Sequence, residues 1–342
     1  DAMEKLKAGI KMFPLSKPLT TSLAMTNLKI GNKEEGFRLY NFIDNSNRTN
    51  FMNLVNYKLK SKVKNPQHES AKINLIEDIE ELNKNALFSK ENFNILVLFE
   101  QGFGDYLHFY RYLEPLLSLG HKITALGANK SVFSLLSYAN NSHLIRFSSK
   151  LENEEVEKFD YKTFTMNIPF LLGNYKNTPP PPKLNLNKLK NDKKKLNKKI
   201  KKILASEKKN IGISWKGNKE HIADISRSID LTIFSKIFKN QNCQFFAVDK
   251  NLTKRDKKYL QKFQNVVICD ELIDDWADTA VIVLQLDELV TVDTSLGHIG
   301  GTLYKPTKIL IAKDPDWRWG IKGNKTEWYE SVKLIRQSKK TV

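Results

Sequence analysis

Hydrophobic positions along the chain change period several times, and each change marks an element. Asn94 to Phe99 (NILVLF) is an unbroken apolar run of strand length, as expected of a parallel strand covered on both faces. Tyr106 to Leu119 carries a helical pattern that ends at Gly120, and Ile123 to Leu126 is again strand-like. Ser131 to Tyr138 reads as helix, Leu144 to Phe147 and Asp160 to Phe164 as strands, and Ile168 to Leu172 as a short helix. After Thr178-Pro179-Pro180-Pro181-Pro182, a stiff polyproline break, comes the lysine-rich helix or spacer Lys183 to Lys209. The alternation then restarts. Asn210 to Trp215, Phe245 to Val248, Val266 to Cys269, Leu289 to Val292, Thr307 to Ala312 and Val332 to Ile335 read as strands. Leu231 to Phe238, Trp276 to Leu284 (with Asp278-Thr279-Ala280 as its cap) and Leu296 to Leu303 read as helices. The pattern predicts an α/β protein of two doubly wound, Rossmann-like halves, with a ligand cleft between them.

Before the first strand the chain is different. Over residues 1–45, small and large residues echo at a spacing of 34: Ala2 maps to Gly36 and Leu6 to Tyr40, with Leu23, Ala24 and Gly31 at first-helix and turn positions. That period resembles the end of a tetratricopeptide-repeat array, or else an ordinary helical hairpin. Residues 46–91 are polar, with one amphipathic piece, Ile73 to Leu87, and read as a helical linker. The expected division is 1–45 repeat-like helices, 46–91 linker, 92–178 first Rossmann-like domain, 179–208 Pro/Lys-rich linker and 209–342 second Rossmann-like domain. The chain opens at Asp1 inside a helical pattern, which reads as a fragment of a longer protein.

Composition adds limits. The 342 residues carry a formal net charge of +18, but much of the excess lies in the single run Lys183 to Lys209. A solvated lysine face explains it without nucleic acid. Cys243 and Cys269 each lie in apolar strand segments and read as packed thiols. No CxxC pair, signal peptide or apolar run of membrane-spanning length is present, so a cytoplasmic protein with no metal is expected.

Candidate chemistry clusters at strand ends. VTVDTSLGHIGG (290–301) runs from a strand through Asp293-Thr294-Ser295 into a helix, with His298 one turn in. Such a helix start offers unsatisfied N–H groups and partial positive charge to an anion, with Thr294 or Ser295 as cap. A capped helix with a surface His is the plainer reading. GFGD (102–105) puts Gly102 and Gly104 on a tight turn and Asp105 at a helix start, as a general base or as a simple cap. WKGN (215–218) is followed by His221, Asp224, Arg227 and Ser228; Lys216, His221 and Arg227 would neutralise a diphosphate or form a solvated loop. In PDWRW, Trp317 and Trp319 flank Arg318, either stacking on a base or sugar ring or closing the domain, the second being preferred.

Taken in order, EQGFGDYLHFYRYLEPLLSLGHKIT, IGISWKGN…RSIDL, DWADTAVIVLQLDELVTVDTSLGHIGGTLYKP and PDWRW…WYESVKLIRQ resemble a bacterial family of tetratricopeptide-repeat glycosyltransferases with a GT-B domain. That family is similar to the heptosyltransferases of glycosyltransferase family 9 and, more distantly, to O-linked N-acetylglucosamine transferases. The resemblance is weak over 1–45 and strong over 93–337. It implies an inverting, metal-independent hexosyl- or heptosyltransferase whose donor is a nucleotide-diphosphate sugar and which needs no further cofactor. The acceptor would be a glycan or protein hydroxyl, and a protein partner would bind through the repeats. Asp105 matches the proposed catalytic base. Asp293, Thr294, Ser295, Gly297 and His298 match the donor segment, with Gly300 and Gly301 on its close-approach face. Lys216 and Arg227 match the loop facing the diphosphate, and Gly102, Gly104 and His108 the acceptor-side loop. The chain departs from the pattern at Tyr106 (usually Thr), His108 (usually Gln) and Gly297 (usually Ala), and in its lysine-rich insert. A degenerate transferase acting as a binding scaffold is the alternative.

Overall fold

The computed structural model describes residues 2–14, 16–41, 92–99, 102–127, 130–152, 155, 158–173, 175, 177–205, 207–219 and 224–338. The linker expected at 46–91, together with Glu100, Gln101 and His221, lies outside them. The chain forms two compact units. The first comprises residues 1–101, 109–128 and 143–179, and the second residues 102–108, 129–142 and 180–342. Residues 102–108 and 129–142 group with the second unit, where Phe103 meets Trp276 and Tyr106 meets Phe133.

The first unit begins with three helices, α1 (Ala2–Met12), α2 (Lys17–Lys29) and α3 (Lys33–Asn41). Gly31 turns between α2 and α3 with φ +88°, a conformation that L side chains rarely adopt. Gly36 lets α3 approach α2 so closely that a Cβ there would lie 2.6 Å from Leu28. α1 buries none of its residues and packs on α2, as α2 packs on α3. A parallel sheet follows, β1 (Asn94–Leu98), β2 (Lys122–Leu126), β3 (Ile145–Ser148) and β4 (Tyr161–Phe164), in the order β3-β2-β1-β4. Ile95, Leu96, Val97 and Leu98 are all buried, which is why their run shows no alternation. The single helix expected over 106–119 is instead two, Phe103–Tyr110 and Leu113–Ser118.

The second unit holds the larger sheet: β5 (Lys209–Ser214), β6 (Cys243–Ala247), β7 (Val266–Ile268), β8 (Glu288–Val292), β9 (Thr307–Ile311) and β10 (Val332–Arg336). All neighbours are parallel, in the order β10-β9-β8-β5-β6-β7. Counted from β5, that is the doubly wound order 3-2-1-4-5-6 read from its other edge. The chain winds outward from β5 to β6 and β7, then crosses to β8 on the opposite side. The switch point therefore lies between β5 and β8, where Ser214 pairs with Thr291. The lysine-rich segment is two helices, Leu186–Asp192 and Lys194–Ile203; Leu189 and Ile200 are fully buried, and Lys193 pairs with Asp275 (3.1 Å) and Asp278 (2.9 Å). The helix Trp276–Gln285 is capped by Asp275 in a capping box with Asp278, one turn earlier than expected, because the carboxylate must precede the first helical residue. Cys243 and Cys269 are buried and unbridged. Among the described residues no helix is long and apolar enough to cross a membrane.

Small residues fix how the helix Ser295–Thr302 lies on this sheet. A Cβ at Gly297 would fall 2.7 Å from Ile309, one at Gly300 2.2 Å from the Thr307 hydroxyl, and one at Gly301 2.3 Å from the Tyr329 ring. At the carboxyl ends of β5 and β6, the Ser214 hydroxyl donates to Asp249 (2.9 Å). Burial pushes the Asp249 carboxyl up to about 7, against the pull of the Ser214 bond and of Lys216.

Two outcomes follow from this packing. Gly301→Ala drives a methyl group into the stem of the Tyr329 ring and should cost about 1–3 kcal/mol in chemical denaturation; an unchanged midpoint would mean the helix shifts without penalty. For Asp249, the native state prefers the protonated form. Its contribution is fully present below the ordinary carboxylate range and lost as pH rises toward about 7. Asp249→Asn keeps an acceptor for Ser214 and should flatten the wild type's loss of stability between about pH 4 and 7; parallel slopes for the two proteins would discount Asp249.

Candidate functional site

β8 ends at Val292 beside the switch point, and Asp293-Thr294 leads into the helix Ser295–Thr302. Thr294 occupies the N-cap position in extended conformation (φ −141°, ψ 173°), yet its side chain makes no cap bond. Its hydroxyl meets that of Thr291 instead, at 3.0 Å. Thr294 thus forms no side-chain cap bond, and Gly297 N–H donates to the Thr294 carbonyl (3.0 Å) in the first turn. The helix start keeps its donor-rich, electropositive end at the carboxyl edge of the sheet. The glycines of the segment do not line that end. Gly297, Gly300 and Gly301 face β9, Leu289 and Tyr329, and it is packing that needs them.

His298, 5% exposed, is a core residue rather than a surface one. Its Nδ1 is 2.9 Å from the Tyr329 hydroxyl, and its ring lies 5.3 Å from Trp319 and 5.6 Å from His108. Its other edge meets main chain: a Cβ on Gly104 would lie 2.6 Å from His298 Cδ2. Gly104 is thus required by its histidine neighbour. His108, expected on an acceptor-side loop, is fully buried, 4.4 Å from Trp328 and 6.0 Å from Trp317 between ring centres. Both histidines belong to one aromatic cluster beneath the site.

Above that cluster lies a set of charges. Arg318, with a side chain 7% exposed, bonds through Nη2 to Asp105 and through Nη1 to Asp316 (2.8 Å). Its guanidinium stacks 4.5 Å above the Trp317 ring, and its carbonyl accepts from Trp328 Nε1 (2.7 Å). Asp105 accepts from Gly102 N–H at 2.9 Å through its other oxygen, so the tight turn and the carboxylate fix each other. Burial alone would depress the Arg318 cation; Asp105 and Asp316, with Asp293 behind them, hold it above its ordinary value. Burial likewise pushes Asp316 up, and Arg318 more than reverses it. Asp293 is raised, first by burial and then by the Asp316 carboxylate, while Trp319, Arg318 and Arg227 pull it down.

Arg227 follows the carboxyl end of β5 and acts on Asp293 through its charge. It lies on the one-turn helix Asp224–Arg227, 3.3 Å from Asp224, over Gly217, where a Cβ would meet its Nη2 at 2.4 Å. Ser228 holds the loop by accepting from Gly217 N–H (2.9 Å) and donating to Asp224 (2.8 Å). Lys216, from the same strand end, is instead paired with Asp256 and lies 5.6 Å over the Trp215 ring.

Of the residues singled out in the sequence, the fold brings Asp105, Arg227, Asp293, Thr294, Ser295 and Arg318 to one edge of the second unit, and buries His108, His298 and Gly297 beneath it. Asp316 and Tyr329 carried no separate signal in the sequence, although each lies inside a quoted motif. Among the described residues no group of three His, Cys, Asp or Glu is placed to hold a metal ion.

No family model matches this chain, and no curated protein does. Solved structures do. A family 9 glycosyl transferase from Veillonella parvula aligns over 73% of this chain and 88% of its own at 10% identity, with a TM-score of 0.52. The ADP-heptose lps heptosyltransferase II of E. coli aligns over 72% and 91% at 11% identity, with a TM-score of 0.50. TibC, described as a dodecameric iron-containing heptosyltransferase in complex with ADP-D-beta-D-heptose, aligns over 73% and 64% at 10% identity, also at 0.50. At such identities the likeness is one of fold: this chain is a mixed α/β protein with parallel sheets, built like these glycosyltransferases.

Proposed function

We propose that this chain is a glycosyltransferase of GT-B type that moves a hexosyl or heptosyl group from a nucleotide-diphosphate sugar to a hydroxyl of a glycan or protein. The observation that carries the reading is the start of the helix Ser295–Thr302. It lies at the switch point of a 3-2-1-4-5-6 sheet, lacks its own side-chain cap, and adjoins Asp293, whose carboxylate feels the charges of Arg318 and Arg227. The fold shared with family 9 glycosyltransferases and heptosyltransferases supports it, and the names of two of those neighbours, which carry ADP-heptose, make an ADP-sugar the first donor to try.

In this reading the second unit holds the donor and the first contributes to the acceptor. The acceptor oxygen attacks the anomeric carbon as the bond from that carbon to the diphosphate oxygen breaks, with inversion. Asp105 takes the hydroxyl proton. The leaving diphosphate gathers its charge at the helix start and on the arginines, which stand in the place a metal would otherwise take. Lys216, held by Asp256, acts on the charge of that strand end rather than on the phosphates directly. The helices α1–α3 offer a surface for a protein partner, and the setting is cytoplasmic. The second reading is a scaffold whose transferase machinery is locked; the tying of Asp105 to Arg318 favours it.

Titration with ADP, UDP and GDP separates the two. A donor site predicts a rise in melting temperature with at least one of them, corresponding to about 2.7 kcal/mol at a hundredfold excess over Kd. Asp105→Ala should keep that rise and lose sugar transfer or donor hydrolysis by at least 100-fold, within the usual range for a general base. Silence with all three nucleotides would leave only the scaffold, and an Asp105→Ala protein as active as wild type would remove the base.

A further inference from the structure

The guanidinium of Arg318 has more acid around it than it can neutralise. Asp105 approaches from the helix Phe103–Tyr110, Asp316 from Arg318's own loop and Asp293 from the end of β8. Arg227 also acts electrostatically on Asp293, and His298, from the helix Ser295–Thr302, on Asp316. Among the described residues, Asp105, Asp316 and Asp293, with Asp224 already on Arg227, outnumber the guanidiniums of Arg318 and Arg227 at this edge, which borders the helix start proposed to take a diphosphate. An anion arriving there as the structure stands would meet Asp293 and Asp105 beside its two cations.

The two halves of the Arg318 fork are held differently. Asp316 bonds both the Arg318 main-chain N–H (3.0 Å) and Nη1 (2.8 Å), and so is built into the turn that carries the arginine. Asp105 is 213 residues away in sequence and bonds Nη2, while its second oxygen accepts from the Gly102 N–H. The stem is fixed independently of either carboxylate: Trp317 stacks on the guanidinium, Trp328 holds the carbonyl, and Trp319 packs on His298. Losing Asp105 would leave Arg318 in place with one side of its fork open. Phosphate oxygens suit that fork as well as carboxylate oxygens do.

We propose that Arg318 is a diphosphate-binding residue whose Nη2 group is held by Asp105 in the unliganded protein, so that donor and Asp105 compete for one guanidinium. This rests on the transferase reading above and deepens it. While paired to Arg318, Asp105 is a poor acceptor for the proton of an incoming hydroxyl, because a cation beside it favours the carboxylate. Diphosphate on the guanidinium releases Asp105. The base is then in its working form only when the donor is present, which restrains idle chemistry in the empty site.

The signature is a pair of opposite effects. Affinities for ADP, UDP and GDP are measured by calorimetric titration at pH 7 on wild type, Arg318→Gln, Asp105→Asn and the double variant. Arg318→Gln should bind the preferred nucleotide at least tenfold more weakly. Asp105→Asn, with its competitor charge removed, should bind it at least threefold more tightly. The double variant should be as weak as Arg318→Gln, because the gain acts through the arginine. A purely structural ion pair predicts instead that both single variants melt lower and bind alike, and that result would overturn the proposal. If Arg318→Gln does not fold, Arg318→Lys keeps the charge and loses the fork; it should bind several-fold more weakly, and wild-type affinity would again overturn the proposal. Wild type that binds none of the three nucleotides defeats the transferase reading itself and this inference with it. Wild type that binds while Arg318→Gln matches it defeats only the role given to Arg318.

Discussion

A guanidinium cannot be taken out of water unless its charge and its N–H groups find partners, and Arg318 sets that demand within the second unit. Much of the local construction is an answer to it. Asp316 turns the chain so that one carboxylate caps the Trp317–Trp319 turn and meets the side chain together. Trp317 supplies a π face, Trp328 closes over the carbonyl, and the GFGD turn brings Asp105 to Nη2. The contact with Asp105 joins a turn near the start of the α/β region to a loop near the end of the chain, so residues 102–108 fold as part of the second unit.

The strands were legible because parallel β-structure buried on both faces leaves unbroken apolar runs, and Ile95 to Leu98 is a plain case. Their order could not be read, since nothing in β8 says that it lies beside β5 rather than β7; only the crossover geometry decides that. Helix starts were legible to within a turn and their chemistry less so. Thr294 reads as a cap, but a hydroxyl has two directions to turn, and here Thr291 claims it. Lys216 and Arg227 look equivalent in sequence, and a carboxylate from a later helix, Asp256, makes one of them unlike the other. Arg318 was visible but undervalued: two flanking tryptophans suggest a closing plug, and the partner that changes its meaning is 213 positions upstream.

Charge along the chain proved a poor guide to charge at the site. The lysine run accounts for much of the +18, yet it folds as two helices that bury Leu189 and Ile200 and give Lys193 to Asp275 and Asp278. The edge where an anion is expected is locally acidic. Net charge describes how a protein repels or attracts at a distance; recognition at a few ångströms depends on which carboxylates are already satisfied.

The contact of Gly104 with His298 has an evolutionary meaning. A glycine in a GxGD turn invites the assumption that a ligand needs its bare backbone, but here the space is filled by an imidazole of the same chain. The second glycine of the motif is therefore a record of the histidine. In relatives that keep this packing, the two positions should vary as a pair: a smaller residue at 298 would permit a side chain at 104, and a histidine at 298 would forbid one. Presence of the motif then testifies to an aromatic neighbour first and to chemistry only through Asp105, the residue that follows it.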